Sequence, residues 1–350
     1  AFKTPKGKLL KIPGVGEFTA NAMTSSNVLQ EAEKIRERAD KDGHQLLFYT
    51  DKDYPERLKP ISDAPTLLYY NGNANLNQTK IVSIVGTRRA TEYGKDVTEA
   101  IVKTLLKHNV LVVSGLAYGI DIAAHRAALH VGLETVGVTA GGLDKLYPPE
   151  HRKTAEQMVS SGGMLTEHPY GIIPEAHNFP ARNRIIAGMA DALVVVEAAV
   201  KGGALISAEI ANGYNKDVFA VPGNINNAYS AGCNKLIYEN KAVCLADLND
   251  LEVFMNWDLD RAAEARADGK RVAAAPAINI DKADADETEK TVLRFLLNKT
   301  EGVHVDELSR NSLVPMGKLA NVLLQLEFRG YVKTLPGKKY ALNSSNFKSK

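Results

Sequence analysis

The chain has 350 residues, enough for two or three domains, with 45% apolar and 24% charged residues and a formal net charge of +2. No apolar run reaches the roughly 18–20 residues of a membrane span, and no apolar secretory segment opens it. The two cysteines, Cys233 and Cys244, exclude a disulfide framework or a cysteine-rich zinc site, and the eight histidines lack metal-ligand spacing. The expectation is a cytoplasmic chain with no metal and no cofactor. A nucleic-acid binder stays open, because its positive charge can be local.

Residues 1–50 read as a small helical module. Leu10-Lys11-Ile12-Pro13-Gly14-Val15-Gly16 has the form of a helix-hairpin-helix turn, whose amides can meet a phosphate, or of a turn in a SAM-like helical domain. A charged helix over Leu29–Lys41 follows. Tyr54-Pro55 and a β-like LLYYNG at 67–72 lead into a second domain, residues 51–257. From Lys80 to Leu245, β-rich runs alternate with helical stretches such as Tyr93–Lys107 and Ile120–His130. The runs are IVSIVG (81–86), VLVVSG (110–115), ETVGVT (134–139), GMLTE (163–167), ALVVVE (192–197), DVFAV (217–221) and AVCL (242–245). They are nearly continuously apolar, as in strands buried on both faces of a parallel sheet. The pattern predicts an α/β domain with an extended Rossmann-like, doubly wound parallel sheet. Residues 258–286, rich in Ala and Asp, read as a linker. Residues 287–343 read as three helices (Glu287–Asn298, Val305–Ser312, Pro315–Arg329) and a hairpin around Pro336-Gly337, a winged-helix pattern.

Ligands of a doubly wound sheet bind beyond the carboxyl ends of its strands. The strings in those places are Gly86-Thr87-Arg88-Arg89, Gly115 to Asp121, Ala140 to Pro148, Asn178 to Arg184, Lys201-Gly202-Gly203 and Pro222-Gly223-Asn224. Glycines let backbone amides approach a ligand, helix N-termini attract anions, and arginines grip phosphate oxygens. Five basic residues on one rim, Arg88, Lys145, Arg182, Arg184 and Lys201, suit several phosphates better than one. Residues 80–246 hold 16 Lys+Arg against 15 Asp+Glu, so placement carries this reading, not excess. Plainer roles exist for each: Arg88 and Arg89 paired with carboxylates, Lys145 with Asp144, Tyr118 and Phe179 in the core, Asp121 capping a helix and His125 hydrogen-bonded. Arg182 and Arg184 begin a helix, where a cation is unfavourable, so each calls for an anion or an acidic neighbour. There is no G-x-G-x-x-G, no P-loop and no G-x-S-x-G elbow, and no nucleophile–base pair stands out.

IVGTRRATEYG (84–94), VVSGLAYGIDIAAH (112–125), GGLDKLYPPEH (141–151), FPARNRIIAG (179–188), VVVEAAVKGGALISA (194–208) and VFAVPGNI (218–225) together resemble the DprA/Smf family of DNA-processing proteins. DYPERLKPISDAPTLLYYNGN (53–73) is similar to that family's lead-in. The resemblance implies a non-catalytic protein of bacterial natural transformation. Such a protein binds and protects single-stranded DNA, loads RecA onto it in the presence of single-strand binding protein, and forms a homodimer. Carried onto these motifs, it implies that Gly86, Thr87 and Arg88 hold phosphate with Lys145, Arg182, Asn183, Arg184, Lys201 and Gly202, and that Phe179 and Tyr118 meet bases. The family's lysine-serine-glycine is Lys201-Gly202-Gly203 here, which removes a hydroxyl donor. Leu236 and Ile237 lie where the family dimerises, and are either contact or core residues.

Two other readings stand beside this one. A phosphoribohydrolase-like nucleotide enzyme would use Glu209 after Gly202-Gly203, although Leu205-Ile206 replace the Gly-Thr of that motif. A duplex-binding regulator would use the winged helix, where Lys318, Asn321, Gln325 and Arg329 are the polar readers and Lys333, Lys338 and Lys339 the wing cations. A protein contact fits that module equally well.

Overall fold

The computed structural model describes residues 4–24, 27–257, 280, 285–297, 299, 302–335 and 339–343. The chain divides into two compact units, Ala1–Leu251 and Glu252–Lys350. The reading of 258–286 as a linker, the Pro336-Gly337 turn and Lys338 lie outside the described residues, apart from Ile280, Ala285 and Asp286.

The first unit opens with α1 (Lys6–Leu9), α2 (Glu17–Thr24) and α3 (Val28–Asp42). Gly43 ends α3 in the left-handed region. β1 (Gln45–Phe48) then pairs antiparallel with β2 (Leu67–Gly72), so the sheet begins ahead of residue 51. β1 escapes a sequence reading because it has four residues, of which only Leu47 is buried. β3 (Ile81–Val85), β4 (Leu111–Ser114), β5 (Thr135–Val138), β6 (Gly162–Thr166), β7 (Ala192–Val195), β8 (Asp217–Ala220) and β9 (Val243–Cys244) follow the seven apolar runs. The nine strands lie in the order β1-β2-β6-β5-β4-β3-β7-β8-β9. Pairing is parallel from β6 across to β9 and antiparallel at the β1–β2 edge. Residues of β3, β4, β5, β6 and β7 are buried throughout, which is why their sequences do not alternate.

Helices α4 (Glu92–Leu105), α5 (Ile120–Val131), α6 (Arg152–Ser160), α7 (Asn178–Met189), α8 (Gly203–Gly213) and α9 (Ala231–Tyr238) connect the strands. The chain runs outward from β3 through β4, β5 and β6, then returns to place β7 on the other side of β3. That reversal is a topological switch point, where connections leave in opposite directions and the strand ends part.

Among its described residues the second unit has the helices Glu287–Leu296, Val305–Ser312 and Met316–Phe328, with a three-stranded sheet from Val303–His304, Val332–Leu335 and Lys339–Leu342. It is a winged helix. Asp286 and Glu289 form a reciprocal capping box, and Val292, Leu293, Leu308, Leu319, Leu323 and Leu326 fill its core.

Candidate functional site

A cleft of about 490 Å³ opens at the switch point, over the carboxyl ends of β3 and β7. Its walls are the Gly86–Arg88 turn, the start of α7 with Phe179, Arg182 and Asn183, and the Lys201–Gly203 loop that enters α8. Seven of the nine phosphate candidates therefore meet in one place, Gly86, Thr87, Arg88, Arg182, Asn183, Lys201 and Gly202, together with the base candidate Phe179.

The Thr87 backbone, just before Arg88, is fixed from two sides. The Thr87 N–H donates to the Glu197 carbonyl at 2.7 Å, and the Thr87 carbonyl accepts from the Ile120 N–H at 3.2 Å. Gly119, with φ of 78°, permits this approach; a Cβ there would lie 2.1 Å from the Thr87 oxygen. Arg88 itself is exposed, its guanidinium 5.1 Å from the centroid of the half-buried Phe179 ring. Tyr147 tilts against the same ring at 6.0 Å and is 48% exposed. Tyr118, Tyr147, Pro148, Pro174, Phe179 and Arg88 line a small apolar pit beside the cleft.

Arg182 is 5% exposed on the cleft floor, where it donates to the Val138 carbonyl and, at 3.2 Å, to the Asn183 side-chain oxygen. Burial lowers it to about 10, against the field of Asp121. Burial pushes Asp121 up to about 6, against the field of Arg182. Gly115 leaves both room, since a Cβ would come within 2.3 Å of the Asp121 carboxylate and 2.8 Å of the Arg182 guanidinium. Asn183 donates to the Gly203 carbonyl at 3.3 Å and ties α7 to the start of α8. The first turn of α8 has no side-chain cap, and the exposed Lys201 stands just before it. An uncapped helix N-terminus beside a lysine and an arginine favours an anion.

Two rim residues and one dimer candidate lie elsewhere. Arg184 does not reach the cleft; it pairs with Glu167 and, at 3.6 Å, with Asp63, with 16% of its side chain exposed. Residues two apart on a helix project about 200° from each other, so Arg182 and Arg184 face opposite ways. These acidic neighbours relieve the cation at the helix start. Lys145 is exposed but lies outside the cleft lining, and Asp144 is bonded to Arg38 and the Gly171 N–H instead. Leu236 is 3% exposed within the core and so is not available as a dimer contact; Ile237 packs half-buried on the same core, while Tyr238 is 87% exposed.

The N-terminus of α4, the usual phosphate seat after the first strand of such a sheet, is already occupied. Glu197, 1% exposed, accepts from the Thr91 N–H at 2.9 Å and the Thr91 hydroxyl at 2.7 Å. The negative charge of Glu197 there disfavours a second anion at the helix end itself and leaves the exposed Arg88 side chain as the nearby cation. Neither Glu197 nor Tyr147 was singled out in the sequence, although an acid ending the buried run ALVVVE was a usable signal.

Other expectations resolve plainly. Tyr118 is 41% exposed, not core, and donates to Glu150 at 2.7 Å. His125 bridges Thr135 (2.7 Å) and the Gly115 carbonyl (2.5 Å), and burial lowers it to about 4. Glu209 lies outside the cleft lining, bonded to Lys241 at 2.8 Å. In the winged helix, Arg329 pairs with Glu289 and Lys318 reaches Thr288 at 3.2 Å, while Leu324 and Phe328 on the same helix are 47% and 78% exposed. Among the described residues no group of three or more His, Cys, Asp or Glu side chains is placed to hold a metal, and no helix is long and apolar enough to cross a membrane.

The family model for DNA recombination-mediator protein A matches residues 45–256, and that for the DprA winged helix domain matches residues 274–338. Protein Smf of Synechocystis is 35% identical across 85% of this chain and 79% of its own length. Protein Smf of Escherichia coli is 31% identical across 84% of this chain and 76% of its own. The X-ray structure of DNA processing protein A from Streptococcus pneumoniae is similar with a TM-score of 0.65 and 33% identity, covering 72% of this chain and 87% of that one. DNA processing protein A from Helicobacter pylori, described with a single-stranded DNA binding mode, has a TM-score of 0.56 and 29% identity, covering 61% of this chain and 96% of that one.

Proposed function

The chain belongs to the DprA/Smf family of DNA recombination-mediator proteins, and from that premise we propose that its switch-point cleft holds single-stranded DNA without cutting it. One observation carries the reading. A single cleft joins an exposed guanidinium beside an aromatic ring to a second exposed cation at an uncapped helix N-terminus. Cations that follow the backbone and rings that stack bases are the two parts of a single-strand site. Arg88 and Lys201 take phosphates, and Phe179, Tyr147 and Tyr118 take bases. Arg182 shapes the floor from below rather than touching the backbone as a free cation.

The strand so held is protected and passed to RecA in the presence of single-strand binding protein, during natural transformation in the cytoplasm. The protein acts as a homodimer, with exposed Tyr238 replacing Leu236 as the α9 contact. A nucleotide-cleaving role finds less support, because Glu209 is held by Lys241 away from the cleft. Duplex readout also finds less, since Arg329 and Lys318 are engaged within the winged helix.

The test is filter binding of oligo-dT over a salt series, with duplex as competitor. Arg88→Glu is expected to weaken the single-strand complex tenfold or more, about 1.4 kcal/mol, and to flatten its salt dependence. Wild-type binding by the folded variant, or a preference for duplex, overturns the reading.

A further inference from the structure

The segment between β6 and α7 lines the cleft through Ala176 and the pit beside it through Pro174, and delivers Phe179. Within it, Tyr170 is held by residues from the N-terminal part of the chain. The Arg38 guanidinium lies 4.3 Å from the Tyr170 ring centroid. The His44 ring stacks on Tyr170, and its Nδ1 lies 2.9 Å from the Tyr170 hydroxyl. Tyr69 of β2 meets the same ring edge-on at 5.5 Å. Arg38 also reaches the Asp144 carboxylate at 3.2 Å, and that carboxylate accepts from the Gly171 N–H at 2.9 Å. Beyond this clamp, the Gly142 N–H donates to the Ile172 carbonyl at 2.9 Å, and Pro174 packs against Gly141, where a Cβ would come within 2.7 Å of the ring.

We propose that Arg38, on α3 of the N-terminal module, is a positioning residue for strand binding: through Tyr170 and Asp144 it holds the 168–176 segment in the place that lets Phe179 wall the cleft and Pro174 the pit beside it. The inference rests on the cleft being the strand site. Arg38 is itself absent from the cleft lining and touches no part of it. Its two partners are the only groups that link it to the wall among the described contacts; Asp42, its other ion-pair partner, lies on its own helix at 3.4 Å. The N-terminal module thereby becomes part of the scaffold of the site.

The test uses the full chain and oligo-dT over a salt series, with hydrogen exchange at the Gly171 amide. Arg38→Ala is expected to weaken binding roughly three- to tenfold, the range for coupling through a packed network. The slope of log K against log salt stays unchanged, because no phosphate contact is lost. Gly171 exchanges faster in the free variant, and oligo-dT slows that exchange in the wild type. Asp144→Asn, which removes the charge that Arg38 pairs with, carries the same test should Arg38→Ala fail to fold. Unchanged affinity overturns the proposal. So does a salt slope reduced by about 0.7, which marks Arg38 as a phosphate contact. If Arg88→Glu leaves binding intact as well, the cleft reading has failed; if Arg88→Glu weakens it and Arg38→Ala does not, the positioning role alone has failed.

Discussion

Arg88 and Arg184 belong to the same set of rim arginines by sequence, and the structure gives them opposite surroundings, one exposed and one paired, whose consequences a pair of substitutions separates. Arg184→Gln removes a guanidinium with 16% of its side chain exposed from Glu167, which is 20% exposed, and from Asp63 at 3.6 Å. Breaking a fully buried pair costs about 3–5 kcal/mol because one charge is left stranded. Partial exposure reduces this to about 2 kcal/mol, and the same side chain carries a buried Nη1 with no partner, whose loss offsets a little more. Arg88→Gln removes an exposed cation resting by Phe179, worth about 0.5–1 kcal/mol to the fold at most. Its strand affinity is expected to fall about tenfold, with the salt slope lower by about 0.7. Arg184→Gln is expected to unfold at lower urea and to bind oligo-dT with wild-type affinity and slope while folded. Circular dichroism is the appropriate probe, because the single tryptophan, Trp257, lies in the other unit. Equal loss of strand binding in a folded Arg184→Gln refutes this division of labour.

Three further outcomes follow from the same geometry. Phe179→Ala should weaken oligo-dT binding by about 1–3 kcal/mol, the worth of a stacked base, with the salt slope intact; a lower slope would instead mean that Arg88 had moved with the ring. Glu197→Ala empties a buried acceptor of two hydrogen bonds at the α4 N-terminus and should cost about 2 kcal/mol of stability, measured by urea unfolding; no loss would show that Thr91 caps the helix unaided. Between pH 4 and 6, Asp121 and His125 should oppose one another. Asp121 is raised from 3.8 to about 6, so the folded state binds the extra proton and stability falls as pH rises through this window. His125 is lowered from 6.5 to about 4, so the unfolded state binds the extra proton and stability rises. Each spans about 3 kcal/mol at 1.36 kcal/mol per pKa unit. The wild type should be nearly flat, His125→Gln should lose stability as pH rises, and Asp121→Asn should gain it; parallel curves for all three would refute the pairing.

What the sequence made legible follows from what leaves a one-dimensional trace. Strands buried on both faces must be apolar at every position, so IVSIV and ALVV announce themselves, and post-strand loops on one edge follow from the topology. QLLF of β1 leaves no such trace, because an edge strand with one buried residue needs no pattern. Side-chain direction is lost too. Arg182 and Arg184 are two positions apart in the string yet on opposite faces of α7. The partners Asp63 and Glu167, which decide that Arg184 is internal, lie 121 and 17 positions away. Leu236 and Tyr238 repeat the lesson on α9, where two positions separate a core residue from an exposed one.

The same accounting limits what the cleft can do by charge alone. Of the five rim cations, Arg184 is paired, Arg182 is buried against Asp121, and Lys145 stands outside the lining, which leaves Arg88 and Lys201 as the exposed cations facing it. Two phosphate contacts on a single strand give a log–log salt slope of about −1.4 per protomer, at about 0.7 each. If the cleft of about 490 Å³ is the strand site, much of its affinity must then come from stacking on Phe179 and from the α8 N-terminus, which salt weakens less. A slope near that value in the wild type, falling to about half in Lys201→Gln, would mean that the cleft accounts for the electrostatics of binding. A slope of about −3 or steeper, which takes four or more phosphates, would place further contacts outside it. The exposed Lys8 and Lys11 around the N-terminal turn, or Lys339 of the wing, are then the groups to substitute next.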